Sequence, residues 1–545
     1  MTKRTKVRDI SQNPPEQLLY LAAEELMPLP CGQGGLDGGP SVRPLTEEQK
    51  SKYECSLDGL SAVLLSKPQS KEEEDKLVSS FINGLGKLLS KKDNWSFLQP
   101  LTLSLEYCAK CQACSEECPI YVSSGKQEIY RPTYRSEVLR RIINRYVKKG
   151  SKALSKLNGN DVELNWTTIA RLAESAYRCT MCRRCTQACV RGIDNALITH
   201  ELRKVFSQEM GIAAKELHEV GTVKQLEVGA KAFEGIVEFM EEEIEEKTGR
   251  KIRIPVNKKG ADILLIHNTG EFMSWPENPA AFAIIFEAAG LSWTLSSEIG
   301  GYEATNYGLW YDDVQFSRIA LKQAQIAKDL RVKKIVIGEC GHAHKAAIVT
   351  ADRILLSEMN IPRESCMPVL EDIVFSGKLK LDPQRNNFPV TLHDPCNMVR
   401  SMGIVEPQRR ILRAICPQFR EMEPHGVNNY CCGGGSGFAI MNSMNFPDWR
   451  SAISGRMKMK QIIDSFQDVL DPGIPKFVSA PCSNCKGQIR DMFSYYNIGE
   501  QYNIAYTGLV ELIVNAMADI PERYLEMEEA PVAEEVPATD KEALV

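Results

Sequence analysis

The chain has 545 residues, 66 Lys and Arg against 71 Asp and Glu, a formal net charge of -5 and 43% hydrophobic residues. At roughly 100 to 200 residues per domain this excludes a single small domain and leaves room for a large core. The near balance of charge excludes the concentrated basic excess of a phosphate-backbone binder, so nucleic acid is not an expected partner.

The first residues run into polar Ser11 to Asn13 and Pro14-Pro15 without an apolar stretch, so no secretory signal is expected. No run reaches the roughly 18 uncharged apolar residues needed to span a bilayer. The best, Ala280 to Phe286, stops at Glu287 and predicts a core helix. A cytoplasmic location follows, where thiols stay reduced and clustered cysteines are metal ligands or redox groups.

In chain order, residues 1–95 form an amino-terminal extension with a Gly-rich loop from Cys31 to Pro40, a charged run from Lys71 to Lys76 and an amphipathic helix predicted over Glu72 to Leu89. Cys31 and Cys55 stand alone and read as ordinary thiols. Residues 96–214 hold two matching runs, Cys108-x2-Cys111-x2-Cys114-x3-Cys118-Pro119 and Cys179-x2-Cys182-x2-Cys185-x3-Cys189. Each is the bacterial ferredoxin spacing, in which three thiolates grip one cubane and the fourth ligates the other cluster. The expected 4Fe-4S ligand sets are therefore Cys108, Cys111, Cys114 and Cys189, and Cys179, Cys182, Cys185 and Cys118. A pair of four-cysteine zinc sites would need only two CxxC pairs each and does not explain the doubled pattern. Helical stretches between the runs, such as Arg135 to Lys149, predict a helical ferredoxin; the cations of that helix read as a solvated face or a dock for an acidic redox partner.

Residues 215–258 are rich in Glu and Lys with Phe233, Ile236, Val237 and Met240 at helical spacing, a helical connector. Beyond Ala261, short apolar runs at Ile263–Ile266, Lys334–Gly338, Val390–Leu392 and Phe477–Ser479 alternate with helices, which implies parallel βα units. The second half repeats itself. Leu264 to Asn268 lies on Val390 to Asp394, Glu298-Ile299-Gly300-Gly301 on Cys431-Cys432-Gly433-Gly434, and Lys334 to His342 on Lys476 to Asn484. Residues 259–380 and 381–520 are thus two homologous units, and 521–545 is an acidic tail expected to be disordered.

Only the second unit is fully armed with sulfur: His393-Asp394-Pro395-Cys396, Tyr430-Cys431-Cys432-Gly433-Gly434-Gly435 and Pro481-Cys482-Ser483-Asn484-Cys485. Adjacent cysteines cannot both serve one ordinary cubane without strain. Five thiolates converging at the carboxyl edge of parallel strands suit an irregular metal core, with the glycines allowing it close to the backbone. In the first unit only Cys340 remains. Cys340-Gly341-His342-Ala343-His344 either approaches the five-cysteine site across the pseudo-twofold or is a packed strand-to-helix turn. Cys366 and Cys416 read as structural, and His218 and His425 are unassigned. The glycines from Gly433 to Gly437 do not fit a dinucleotide fingerprint, so no flavin or nicotinamide site is expected.

These motifs, from about Tyr107 to Tyr506, resemble the heterodisulfide reductase D (HdrD) family, whose cysteine-rich CCG domain binds a non-cubane 4Fe-4S cluster that reduces a disulfide. Within that family they are most similar to the DsrK branch of sulfite-reduction-associated membrane complexes. Asn397 stands where the family often has His, the spacing from Cys432 to Cys482 is long, and Val190 replaces a Pro. The resemblance implies an α+β multidomain fold, an all-α helical ferredoxin-like domain followed by two α/β CCG-type repeats. It implies two cubane 4Fe-4S clusters and one non-cubane 4Fe-4S cluster, the last on Cys396, Cys431, Cys432, Cys482 and Cys485 as the catalytic site of a disulfide or trisulfide reductase. The implied partners are an integral membrane haem b or quinone-reactive subunit, which would hold the chain on the inner face of the cytoplasmic membrane, and a DsrC-type sulfur-carrier protein. Other implied roles are reduction of a small thiol heterodisulfide, or non-catalytic wiring between a flavin dehydrogenase and quinone.

Overall fold

The computed structural model describes residues 6–12, 26–29, 67–94, 96–148, 159, 161–213, 225–298, 311–437, 450–521 and 523–525. The Cys31–Pro40 loop, Cys55, His218, Ile299 to Gly301 and the acidic run from Glu526 lie outside them. The described chain is helical up to Thr248, then carries two four-stranded, wholly parallel sheets.

The helical half is built from α1 (Lys71–Leu88), α2 (Leu98–Glu106), α3 (Pro132–Ile142), α4 (Trp166–Tyr177) and α5 (Asn195–Lys204). Ser70 caps α1 by accepting from the Glu73 N–H, and three glutamates in its first turn complement the helix dipole. The extension helix does not stand apart as a docking arm. Its apolar stripe, Phe81, Leu85 and Leu88, is buried in the same core as Tyr177 and Phe206, with Phe81 and Phe206 stacked at 5.6 Å. At Gly84 a Cβ would come within 2.6 Å of Val205, so that glycine sets the closeness of approach. The cations around α3 are consumed internally: Arg135 is buried against Thr199 and the Ser175 carbonyl, Arg140 and Arg141 pair with Glu137, and Lys148 with Glu106. That leaves little free charge for an acidic partner on this face.

α6 (Gln225–Thr248) lays Phe233, Met240 and Ile244 on the α/β core, so the connector is a packed layer rather than a free spacer. The first sheet has the order β2-β1-β3-β4, with β1 Ile263–Ile266, β2 Trp293–Thr294, β3 Lys334–Ile337 and β4 Arg363–Ser365. The second repeats it as β6-β5-β7-β8, with β5 Val390–Leu392, β6 Phe419–Arg420, β7 Lys476–Ser479 and β8 Ile504–Thr507. In each, the two central strands are the buried apolar runs legible in the sequence. The helix α7 (Glu277–Ala288), fully buried from Ala280 to Phe286, packs on α8 (Leu509–Asn515) of the other unit. Reciprocally, the helix Cys366–Phe375 packs on Pro407–Ile415. This exchange makes one apolar core of both units and brings the carboxyl ends of β1, β3, β5 and β7 together. Among the described residues no helix is long and apolar enough to cross a membrane.

Candidate metal centres and their junction

Each sulfur of the second unit is aimed by a strand end or a turn. Asp394 leaves β5 as a buried carboxylate, accepting from both Arg409 guanidinium nitrogens and from the Gly426 N–H at 2.7 Å, which fixes the turn that delivers Cys396. Cys482 and Cys485 open the helix that follows β7, and Cys431-Cys432 lie in the loop after Asn429. All five are buried. Cys431 hydrogen-bonds Cys396 and Cys432, Cys432 lies 3.4 Å from Cys485, and Cys485 meets Cys482. The five expected sulfurs are therefore one continuous cluster.

Cys340 joins it. Its sulfur caps the short helix Gly341–His344 through the Ala343 N–H and also hydrogen-bonds Cys482, which His342 reaches as well. The two open readings of this segment are thus both partly realised: His344 is tied away from the site, its ring between the Cys340 carbonyl and Ser365 Oγ, both at 2.7 Å. Cys366 and Cys416 sit in the apolar core, where burial pushes both thiols up.

The glycines also serve packing. A Cβ at Gly433, whose φ is +94°, would meet the Ser454–Gly455 backbone at about 2.6 Å, and one at Gly434 would meet Gln488 at 2.7 Å. They let the Cys431-Cys432 loop press against its own protein neighbours, which is what holds those sulfurs in place.

Among the eight ferredoxin-run cysteines, a small cavity is lined by Cys108, Cys111, Cys114 and Cys189. Cys118 lies instead with Cys179, Cys182 and Cys185, and the thiols register one another electrostatically. Burial pushes Cys118 up to about 12, and burial followed by neighbouring thiols pushes Cys114 up to about 11. Crowded thiols that resist ionisation are stable as thiolates only around a cation. The donor set is sulfur throughout, so both groups and the five-cysteine cluster suit iron–sulfur centres.

The second ferredoxin group and the five-cysteine cluster touch: Cys182 hydrogen-bonds Cys431, and Cys182 shares an apolar cluster with Cys396, Cys432, Cys482 and Cys485. Two arginines hold this junction. Arg400, on the helix after Cys396, donates to the Cys182 carbonyl at 2.6 Å and to Asn429 O at 2.8 Å. Arg203 from α5 donates to Ala176 O, Cys179 O and Ser436 O, at 3.0, 3.0 and 2.9 Å.

Sequence reasoning missed a buried chain of donors behind Cys432. Lys458 Nζ donates to Asn429 Oδ1 at 2.7 Å, to Gln461 and to Met422 Sδ at 3.4 Å. Asn429 Nδ2 donates to Asp394 O at 2.9 Å and lies 3.5 Å from His393 Nδ1, which leaves the His393 proton on Nε2. His393 lies beside Cys432, and His393, Cys432 and Cys485 offer ligand atoms within 4.8 Å of one another. Burial drives Lys458 down to about 7, only partly offset by Asp394 and the thiols. The signal was available: Lys458 precedes buried Ile462 by four residues, a lysine on the inward face of a helix.

Residues 104–193 match the 4Fe-4S dicluster domain family and residues 390–490 the cysteine-rich domain family. The chain is 26% identical over 481 residues to the Hdr-like menaquinol oxidoreductase iron-sulfur subunit 2 of Archaeoglobus fulgidus, covering 79% of this chain and 82% of the relative. It is 24% identical to the HdrD polypeptide of the dihydromethanophenazine:CoB–CoM heterodisulfide reductase of Methanosarcina acetivorans, covering 71% and 89%. The chain is thus similar to the heterodisulfide reductase D family in its relatives and in its cysteine-rich domain. The EtfAB:quinone oxidoreductase of Syntrophomonas wolfei is 22% identical, over 71% of this chain and 55% of the relative. Like these iron–sulfur oxidoreductase relatives, the chain carries sulfur-rich domains, its dicluster match ahead of its CCG match.

Proposed function

We propose that the chain is the electron-transfer and catalytic component of a membrane-associated respiratory complex that reduces a disulfide or trisulfide, with a DsrC-type carrier protein as the favoured substrate. Cys108, Cys111, Cys114 and Cys189 hold one cubane, Cys118, Cys179, Cys182 and Cys185 the second, and Cys396, Cys431, Cys432, Cys482 and Cys485 a non-cubane 4Fe-4S cluster. When bound, these clusters supply electrons one at a time. The observation that carries the reading is the contact between Cys182 and Cys431, which makes the ferredoxin half contiguous with the five-cysteine site.

For a disulfide the step is R–S–S–R′ + 2 e⁻ + 2 H⁺ → R–SH + R′–SH; for a trisulfide R–S–S–S–R′ + 2 e⁻ + 2 H⁺ → R–SH + R′–S–SH, and a second 2 e⁻ and 2 H⁺ convert the persulfide to R′–SH and H₂S, one S–S bond breaking and two S–H bonds forming each time. The chain's own residues serve the proton side. Lys458 and Asn429 set the tautomer of His393, whose ring lies beside Cys432 and Cys485, and burial makes Lys458 ready to release a proton close to the sulfur site. Asp394 and Arg409 keep the turn rigid. Electrons would arrive from an integral membrane haem b or quinone-reactive subunit, as the relatives' menaquinol and dihydromethanophenazine names suggest.

The test is anaerobic, chemically reduced protein offered a DsrC-type trisulfide, the CoB–CoM heterodisulfide, or an oxidised flavoprotein with quinone, with thiol products counted by mass spectrometry. The proposal expects thiol release with the trisulfide and its loss in Cys432→Ala. Electron transfer to quinone with no thiol release from either sulfur compound would support the wiring role that the EtfAB:quinone relative exemplifies.

A further inference from the structure

A cavity of about 600 Å³ lies between the ferredoxin half and the sulfur-poor α/β unit. No cysteine lines it, so it is not the space a cluster would fill. One wall is apolar, from Leu103, Met181, Leu197 and Val349. Its charges are unbalanced. Arg183, Arg191, Lys345 and Arg353 face it with a single carboxylate, Asp194, which is already paired with Arg183. Arg353 donates to Ser96 O and lies over the Phe97 ring. Among the described residues neither the Lys345 side chain nor that of the exposed Arg191 has a hydrogen bond or an ion pair. Lys345 is half-buried at the start of the turn that follows His344. A half-buried cation such as Lys345 gains from an anionic partner, and an apolar recess of this size with a few convergent polar groups is the usual shape of a small-molecule site.

We propose that this cavity binds a small organic anion, its carboxylate, phosphate or sulfonate held by Lys345 and Arg191 and its apolar body laid on Leu103, Met181, Leu197 and Val349. The site does not depend on the disulfide-reductase reading. Its walls include Tyr107, next to Cys108, Ile193, shortly after Cys189, and Met181 and Arg183, which flank Cys182. A bound anion therefore sits against the loops of both ferredoxin cysteine groups, where its charge acts on both.

The experiment uses the full-length, iron-loaded protein and two fluorescent probes with the same apolar body, 8-anilinonaphthalene-1-sulfonate and uncharged N-phenyl-1-naphthylamine. Saturable binding of the sulfonate at one site per chain is expected. Lys345→Gln should weaken it by about tenfold or more, the scale of a lost charge-assisted hydrogen bond, and leave the neutral probe unchanged. Lys345→Arg should retain most of the affinity, and Leu103→Trp, which fills the recess, should weaken both probes. Sulfonate binding that is indifferent to both Lys345→Gln and Leu103→Trp overturns the proposal, as does binding that never saturates. The neutral probe also reports whether each variant keeps the cavity, so a loss of both probes in Lys345→Gln with neither changed by Leu103→Trp counts against it too.

Discussion

The two α/β units carry the same sheet and opposite chemistry. Laid on each other, Gly270 falls where Cys396 stands and Ala343 where Cys485 stands, while His267 and His393 leave equivalent strand ends. His393 turns to Cys432. His267 turns into an aromatic nest instead, edge-on to Phe272 and Phe282 at 5.3 and 5.1 Å with Glu271 beside it at 3.3 Å. The comparison teaches that ligand sets are grafted on strand ends whose scaffold is stabilised elsewhere. A unit can lose its sulfurs and fill the vacated positions with packing, provided its helices still bury the shared core.

The largest effects separate the units by metal. If the chain holds the three proposed four-iron clusters, anaerobically purified protein should contain about twelve iron atoms per chain, falling to about eight in Cys432→Ala and staying near twelve in Cys340→Ala. Equal losses in both variants would promote Cys340 from a neighbour to a ligand and break the asymmetry. If the fourth cysteine crosses over as proposed, Cys118→Ala should remove the EPR signature of the group with Cys179, Cys182 and Cys185 and spare the other; the reverse pattern would place ligation within each run.

Next come effects on stability. His267→Ala should cost about 2–4 kcal/mol with iron content unchanged, read as a lower denaturation midpoint, because it empties a buried aromatic site. His393→Ala should cost less stability and instead slow thiol formation. Arg203→Met, which strands carbonyls on both sides of the junction, should cost about 2–3 kcal/mol and loosen the ferredoxin half, visible as faster hydrogen exchange around Ala176 to Cys179.

The smallest effect is on pH. Burial, then Arg183, lowers Lys345 to about 8, against weaker upward pulls from Asp194 and Cys396. The lysine is a cation below that value and neutral above it. Affinity for the anionic probe should fall several-fold between pH 7 and pH 10 while that of the neutral probe stays level, the fall being delayed by whatever the bound anion does to hold the proton.

How much of this was legible follows from burial. The central strands β1, β3, β5 and β7 announce themselves as short apolar runs because both faces are covered. The edge strands β2, β4, β6 and β8 are short or half-exposed, Phe419–Arg420 and Arg363–Ser365 being the clearest cases, and leave no such mark. The cysteine groupings were readable because cluster chemistry dictates spacing. Convergence of Cys340 on Cys482 was not, since it depends on how two units face each other. Nor was the role of Gly433 and Gly434, whose neighbours lie far along the chain. The amphipathic stripe of the helix Lys71–Leu88 marks it as a helix but does not say which core it joins.

The exchange of helices between units has a consequence for how the chain can be divided. With α7 seated on α8, and Cys366–Phe375 on Pro407–Ile415, each half exposes a wide apolar face when cut from the other. A fragment ending near residue 380 or beginning near it would be born with that face in water and prone to aggregate. The sulfur-poor unit thus supplies half of the core on which its armed sibling rests.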